Sequence, residues 1–230
     1  MPSPQVVVLT DAEGAAAAAA RRAAELLQAA IEQRGRATLA VSGGQTPARM
    51  LELLAAAPLD WQRLDVFQVD ERVAPDGHAD RNATRQALAL PAAQFHAMPV
   101  AAAEPADLPA AAAGYAAELA RYAGHPIQLD LIHLGLGTDG HIASIFPGSG
   151  VADDRDVAVV GPQLGRLRMT LTLAAINRAC HILWLVTGQA KRAALAAMLA
   201  GDPASVGSRV RHDAAVVFTD REAAVDIPHS

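Results

Sequence analysis

Asp130-Leu131-Ile132-His133-Leu134 runs straight into Gly135-Leu136-Gly137-Thr138-Asp139-Gly140-His141, and how this stretch is read decides the fold. The first five residues are almost continuously apolar and end at glycine, the pattern of a short strand buried on both faces. Ile182-Leu183-Trp184-Leu185-Val186 has the same character. Further strand-like runs lie outward of these, at Gln5–Leu9, Thr38–Val41, Asp65–Val69 and Ala214–Thr219. Between them are alanine-rich helical stretches near residues 11–33, 47–57, 83–90, 106–122, 173–178 and 189–199. Strand–helix alternation predicts an α/β fold, a mainly parallel sheet with helices on both faces, as a single domain over residues 1–230. Thr10 with Glu13 forms a capping-box signature for the first helix, and Gly35 marks its stop.

The 230 residues are 52% hydrophobic and 19% charged, with a net charge of -5. Alanine supplies 54 of the apolar residues and aromatics only eight, so the chain is alanine-padded rather than oily. This content excludes intrinsic disorder. The single cysteine, Cys180, excludes an internal disulfide and a thiolate metal site. No apolar run approaches the ~18 residues of a membrane span. The N-terminus lacks the basic flank of a signal peptide, so a soluble, cytoplasmic protein is expected. The acidic balance argues against a nucleic-acid partner. Of 19 basic residues 18 are arginine, which makes the lone Lys191 conspicuous.

In open α/β sheets, ligands bind beyond the carboxyl ends of the strands. Ser42-Gly43-Gly44-Gln45-Thr46-Pro47 follows the second strand. Its glycines permit a close approach, and Thr46 as N-cap with Pro47 at the first helical position would present free N–H groups to an anion. Asp70-Glu71-Arg72 follows the third strand, where Arg72 suits a phosphate or a carboxylate and Asp70 or Glu71 can accept from sugar hydroxyls. The glycine-rich turn holds a literal G-x-G-x-x-G, but Pro147-Gly148 cuts off the helix that a dinucleotide site needs. Asp139 and His141 instead suit a general base with an orienting carboxylate, and Gly135, Gly137 and Gly140 are candidate oxyanion donors. Arg166 and Arg168, before a short helix, and Lys191 after the fifth strand add cations at the same edge. No metal-ligand spacing and no Gly-x-Ser-x-Gly elbow are present, so neither a metal nor a serine nucleophile is expected.

Ser42–Pro47, Asp70-Glu71-Arg72-Val73 with Asp80 and Asn82, Asp139–His141 with Ser144, Phe146, Pro147 and Gly148, and Arg168-Met169-Thr170 followed by Thr187-Gly188 and Lys191 together resemble the 6-phosphogluconolactonase family, in its order and at its spacing. The resemblance covers nearly the whole chain. It implies a modified Rossmann-type fold related to glucosamine-6-phosphate deaminase, and no cofactor. It also implies hydrolysis of 6-phospho-D-glucono-1,5-lactone in the oxidative pentose phosphate pathway, with a sugar phosphate as the only partner and a monomer or homodimer as the assembly. Two residues depart from the family pattern: Arg81 stands where serine is usual, and Ile142 where threonine is usual. Ile142 is the deaminase residue, but deaminases carry an acid a few residues on, and this chain has Ser144-Ile145-Phe146-Pro147 there. A non-catalytic sugar-phosphate sensor would need an attached basic DNA-binding segment, which the sequence lacks.

Overall fold

The computed structural model describes residues 3–90, 92–101, 104–163 and 165–227. In chain order the elements are β1 (Gln5–Leu9), α1 (Ala12–Arg34), β2 (Ala37–Val41), α2 (Gln45–Ala55), β3 (Leu64–Gln68), β4 (Asp70–Arg72), α3 (Asn82–Ala89), β5 (Gln94–His96), α4 (Leu108–Ala123), β6 (Leu131–Leu134), β7 (Val157–Gln163), β8 (Arg166–Leu171), α5 (Leu173–Asn177), β9 (His181–Val186), α6 (Arg192–Leu199) and β10 (Ala215–Asp220). Seven strands pair in the order β1-β10-β9-β6-β2-β3-β5, every pairing parallel. From β2 the chain winds outward through β3 to β5, and the later strands β6, β9 and β10 build on the other side. The reversal lies between β2 and β6, the crevice where α/β sheets take their ligands.

Alternation along the strands sorts the core into two layers. Leu39, Val41, Leu131, Leu183 and Leu185 face α1 and α2. Ala40, Ile132, Leu134, Ile182, Trp184 and Val186 face α4, α5 and α6. The predicted buried strands are therefore sandwiched as expected.

Three local readings need correction. The cap of α1 is Asp11, whose carboxylate accepts from the Gly14 N–H at 2.8 Å, and not a Thr10–Glu13 box. Glu13 is drawn away to Arg49 at 2.7 Å, tying α1 to α2. Helix α2 begins at Gln45 with Gly44 (φ 118°) as its cap, so Thr46 is not the N-cap and Pro47 is the third helical residue. Pro47 is tolerated there because first-turn N–H groups have no intrahelical acceptor. The third concerns a second sheet that the sequence did not suggest, the antiparallel β4-β8-β7, which packs over the α4 side of the core.

His133 lies among these core strands, 1% exposed, with neither ring nitrogen hydrogen-bonded among the described residues. Burial pushes its pKa down from 6.5 to about 3. Between those values the unfolded chain binds a proton that the folded chain refuses, so stability falls as pH drops through this window. The slope is about 1.4 kcal/mol per pH unit, and the term vanishes above the upper value. His133→Leu should lose this proton's worth of acid sensitivity in denaturant titrations at pH 4 to 7. An unchanged slope would mean that the ring charges without leaving its site.

Candidate active site

A cavity of about 220 Å³ opens at the β2–β6 crevice. Ser42, Gly43, Gly44 and Thr46, Asp70 and Arg72, Gly135 and Gly137, His141, Arg168 and Lys191 all line it. Of the predicted site residues only Asp139 and Gly140 stand off the wall, and Asp139 is joined to it through His141.

The His141 ring Nδ1 lies 2.5 Å from Asp139 Oδ1, and the same oxygen accepts from the His141 backbone N–H at 3.1 Å. Burial alone would raise the Asp139 carboxyl, but these contacts with His141 outweigh it and hold the pKa below its usual value. A carboxylate on Nδ1 fixes the tautomer and leaves Nε2 with its lone pair. Phe146 stacks on the imidazole with ring centroids 4.3 Å apart, and Arg168 lies over the Phe146 ring at 5.5 Å. Phe146 was legible in the sequence only as part of a motif; the structure makes it the ring that holds His141 in place.

The oxyanion assignment changes here. Gly137 N–H donates to His141 O at 2.8 Å, and Gly140 N–H to Gly137 O at 3.0 Å, which closes the turn. Neither donor is left for substrate. A Cβ on Gly137 would sit 2.0 Å from His141 Nδ1 and 2.6 Å from Asp139 Oδ1, so glycine is required to leave room for the pair. Gly140 adopts a φ of 82° and lies against Ser205, away from the cavity wall.

The second sheet sets the cations. In the β4–β8 register Arg72 stands directly opposite Arg168, and Asp70 opposite Thr170. Like charges at facing positions repel, and Asp70, whose Oδ2 lies 4.0 Å from Arg168 Nη1, offsets part of that repulsion. Arg72 and Arg168 thus come from β4 and β8 and not, as their positions in the chain suggest, from the tips of parallel strands. Arg166 is excluded from the group because it pairs with Asp80 at 2.7 Å. Arg168 is largely buried, and desolvation lowers its pKa. Lys191, half-buried, is shifted down by the same cause, with the Asp139 charge opposing it. The α2 N-terminus adds backbone N–H groups for which Gly44 supplies no side-chain partner.

Beneath this layer is a carboxylate framework in which Asp70, expected from the sequence to meet a sugar hydroxyl, is joined by the fully buried Glu71. Asp70 is buried, which raises its pKa, and it accepts from Ser144 Oγ at 2.6 Å and Asn82 Nδ2 at 3.3 Å. Glu71, with no exposed surface, accepts from the backbone N–H groups of Arg72, Asn82 and Ala83 at 2.7, 2.8 and 2.9 Å. It caps α3 and fixes the strand that carries Arg72. Arg81, the residue that departs from the family pattern, pairs with Glu71 at 3.0 Å, with side-chain exposures of 2% and 0%. Ile142, the other departure, is fully buried in the core and needs no hydroxyl. Ser42 keeps β2 against β6 by donating to the His133 carbonyl at 3.0 Å. Among the described residues no three His, Cys, Asp or Glu side chains converge as a metal-ligand set. No described helix is long and apolar enough to cross a membrane.

A histidine–carboxylate pair facing a cluster of cations across the switch point of a parallel sheet defines the class: an α/β enzyme. The family model for glucosamine-6-phosphate isomerases and 6-phosphogluconolactonases matches residues 10–219. A 6-phosphogluconolactonase from Synechocystis is 40% identical over 193 residues, covering 78% of this chain and 79% of that one. One from Mycobacterium leprae is 35% identical over 245 aligned positions, covering 98% and 99%. The solved 6-phosphogluconolactonase of Trypanosoma cruzi superposes with a TM-score of 0.87 at 26% identity, covering 98% of this chain and 97% of that one. The chain belongs to the glucosamine-6-phosphate isomerase/6-phosphogluconolactonase family.

Proposed function

We propose that this chain hydrolyses 6-phospho-D-glucono-1,5-lactone to 6-phospho-D-gluconate, as its relatives' names indicate for them. The observation that carries the reading is one cavity holding His141–Asp139 together with Arg72, Arg168 and Lys191. The 6-phosphate, about two negative charges, sits between the facing arginines, Lys191 and the α2 N-terminus. The sugar hydroxyls face Asp70 and Asn82. His141 Nε2 takes a proton from water as the water oxygen bonds to C1. The C1–O5 bond then breaks, and the imidazolium returns the proton to O5. Asp139 stays ionised throughout and stabilises the charged ring. Of the three glycines, Gly135 lines the cavity without its N–H engaged in the 137–141 turn, and it is the one assigned to the oxyanion. No step is routed through a metal or cofactor.

The test is acid release from freshly generated 6-phospholactone, corrected for spontaneous opening and compared with unphosphorylated glucono-δ-lactone. Strong preference for the phosphorylated substrate is expected; equal rates on both would remove the phosphate site from the reading. Lys191→Arg probes the same site more finely. An ammonium is a compact point charge and a guanidinium a planar fork, so the exchange misplaces the donors that meet the phosphate. KM for the phosphorylated lactone should rise about tenfold, the equivalent of ~1.4 kcal/mol, with slow turnover of the unphosphorylated lactone unchanged. A parallel response of both substrates would place Lys191 outside the phosphate site.

A further inference from the structure

Beside Arg72 and Asn82, the active-site cavity adjoins a second chamber of about 180 Å³, the volume of roughly six waters at ~30 Å³ each. The two spaces share the Ser42–Gln45 loop, Pro47, Arg72 and Asn82, so they adjoin along these residues. The chamber's own lining adds Ala79, Asp80, Arg81, Arg85 and Gln86. Its one acid among the described residues, Asp80, pairs with Arg166, and Arg81 pairs with Glu71 and Asp76. The lining's own formal charges, Arg72, Arg81 and Arg85 against Asp80, are net positive, with Asp70 beside Arg72 offsetting part of that charge. Arg72 donates through Nη1 to the Asp80 carbonyl at 2.7 Å, while its buried Nε has no hydrogen-bond partner among the described residues. Arg85 is exposed on α3, one turn from the wall residue Asn82.

Resting on the phosphate reading above, we propose that this chamber is a second anion subsite, and that the protein therefore binds diphosphate groups more tightly than monophosphates. One phosphoryl group occupies the site between Lys191 and the facing arginines. The second lies in the adjoining chamber, against Arg72 and Arg85. A diphosphate so held covers the place of the substrate's phosphate, so diphosphate compounds are competitive inhibitors of the lactone reaction.

Calorimetry with inorganic pyrophosphate and orthophosphate at fixed ionic strength tests this, alongside their inhibition of lactone hydrolysis. The wild type should bind pyrophosphate at least tenfold more tightly than orthophosphate. Arg85→Gln should narrow that gap to threefold or less, leaving orthophosphate affinity, kcat and KM unchanged. Arg192→Gln, which removes a half-buried charge beside Lys191 in sequence but outside the chamber, should keep the gap. A wild type without the gap, an Arg85→Gln protein that retains it, or an Arg192→Gln protein that loses it equally would each overturn the proposal. If orthophosphate competes and the lactone is hydrolysed, such a result removes the chamber alone. If neither anion binds and the lactone is untouched, it is the phosphate reading that fails.

Discussion

His141→Ala should lower kcat by about 10²–10⁴-fold, the usual contribution of a positioned base, while KM for the phosphorylated lactone stays within about twofold. The split follows from the layout of the cavity. His141 touches Asp139 and Phe146, whereas the cations sit on β4, β8 and the segment after β9. Removing the imidazole therefore deletes proton transfer and leaves the phosphate contacts in place. Asp139→Asn keeps the size of the side chain but removes the charge opposite Nδ1, so its loss should also fall on kcat. Steady-state kinetics above the spontaneous rate decide the matter: wild-type kcat in the alanine variant would refute the base assignment, and a purely KM effect would make His141 a binding residue.

Arg81→Ala should destabilise the protein by about 3–5 kcal/mol, the cost of stranding one member of a buried ion pair. Both side chains are essentially without solvent contact, so water does not make up for the lost guanidinium. Glu71→Gln added to the alanine variant should recover part of the loss. It removes the stranded charge, and its amide oxygen still accepts from the backbone at the start of α3. Denaturant unfolding with an unchanged m-value reads the effect cleanly. A loss below about 1 kcal/mol would show that the α3 cap holds Glu71 without Arg81. Because Glu71 also fixes the backbone of Arg72 and Asn82, well below the melting temperature the variant's KM should rise more than its kcat falls.

Much of this was legible in the chain. The apolar runs at 131–134 and 182–186 could be satisfied only inside a covered sheet, and the segment after each was then a ligand loop by topology. The loops at 42–46 and 135–141 were read this way, and both line the cavity. Short antiparallel strands were not legible. Asp70–Arg72 is three polar residues without apolar alternation, and Val157–Gln163 contains glycine and proline. The partner of Asp70–Arg72 lies about a hundred residues away in β8, which no local pattern records, whereas Val157–Gln163 pairs with the next strand, β8, in an irregular register.

The sequence by itself determined the fold class and picked out the loops and residue types that line the cavity. These depend on local chemistry: burial on two faces, glycine turns, and residue types at strand ends. Only the tertiary structure decided which partners each group meets there. It set Arg72 against Arg168 and removed Arg166 by pairing it with Asp80. It also engaged the Gly137 and Gly140 N–H groups inside their own turn, and made Arg81 the partner of a buried carboxylate. Each of these is a competition among donors and acceptors distant in sequence, and it is settled by which of them the packed core brings within about 3 Å, the reach of a hydrogen bond.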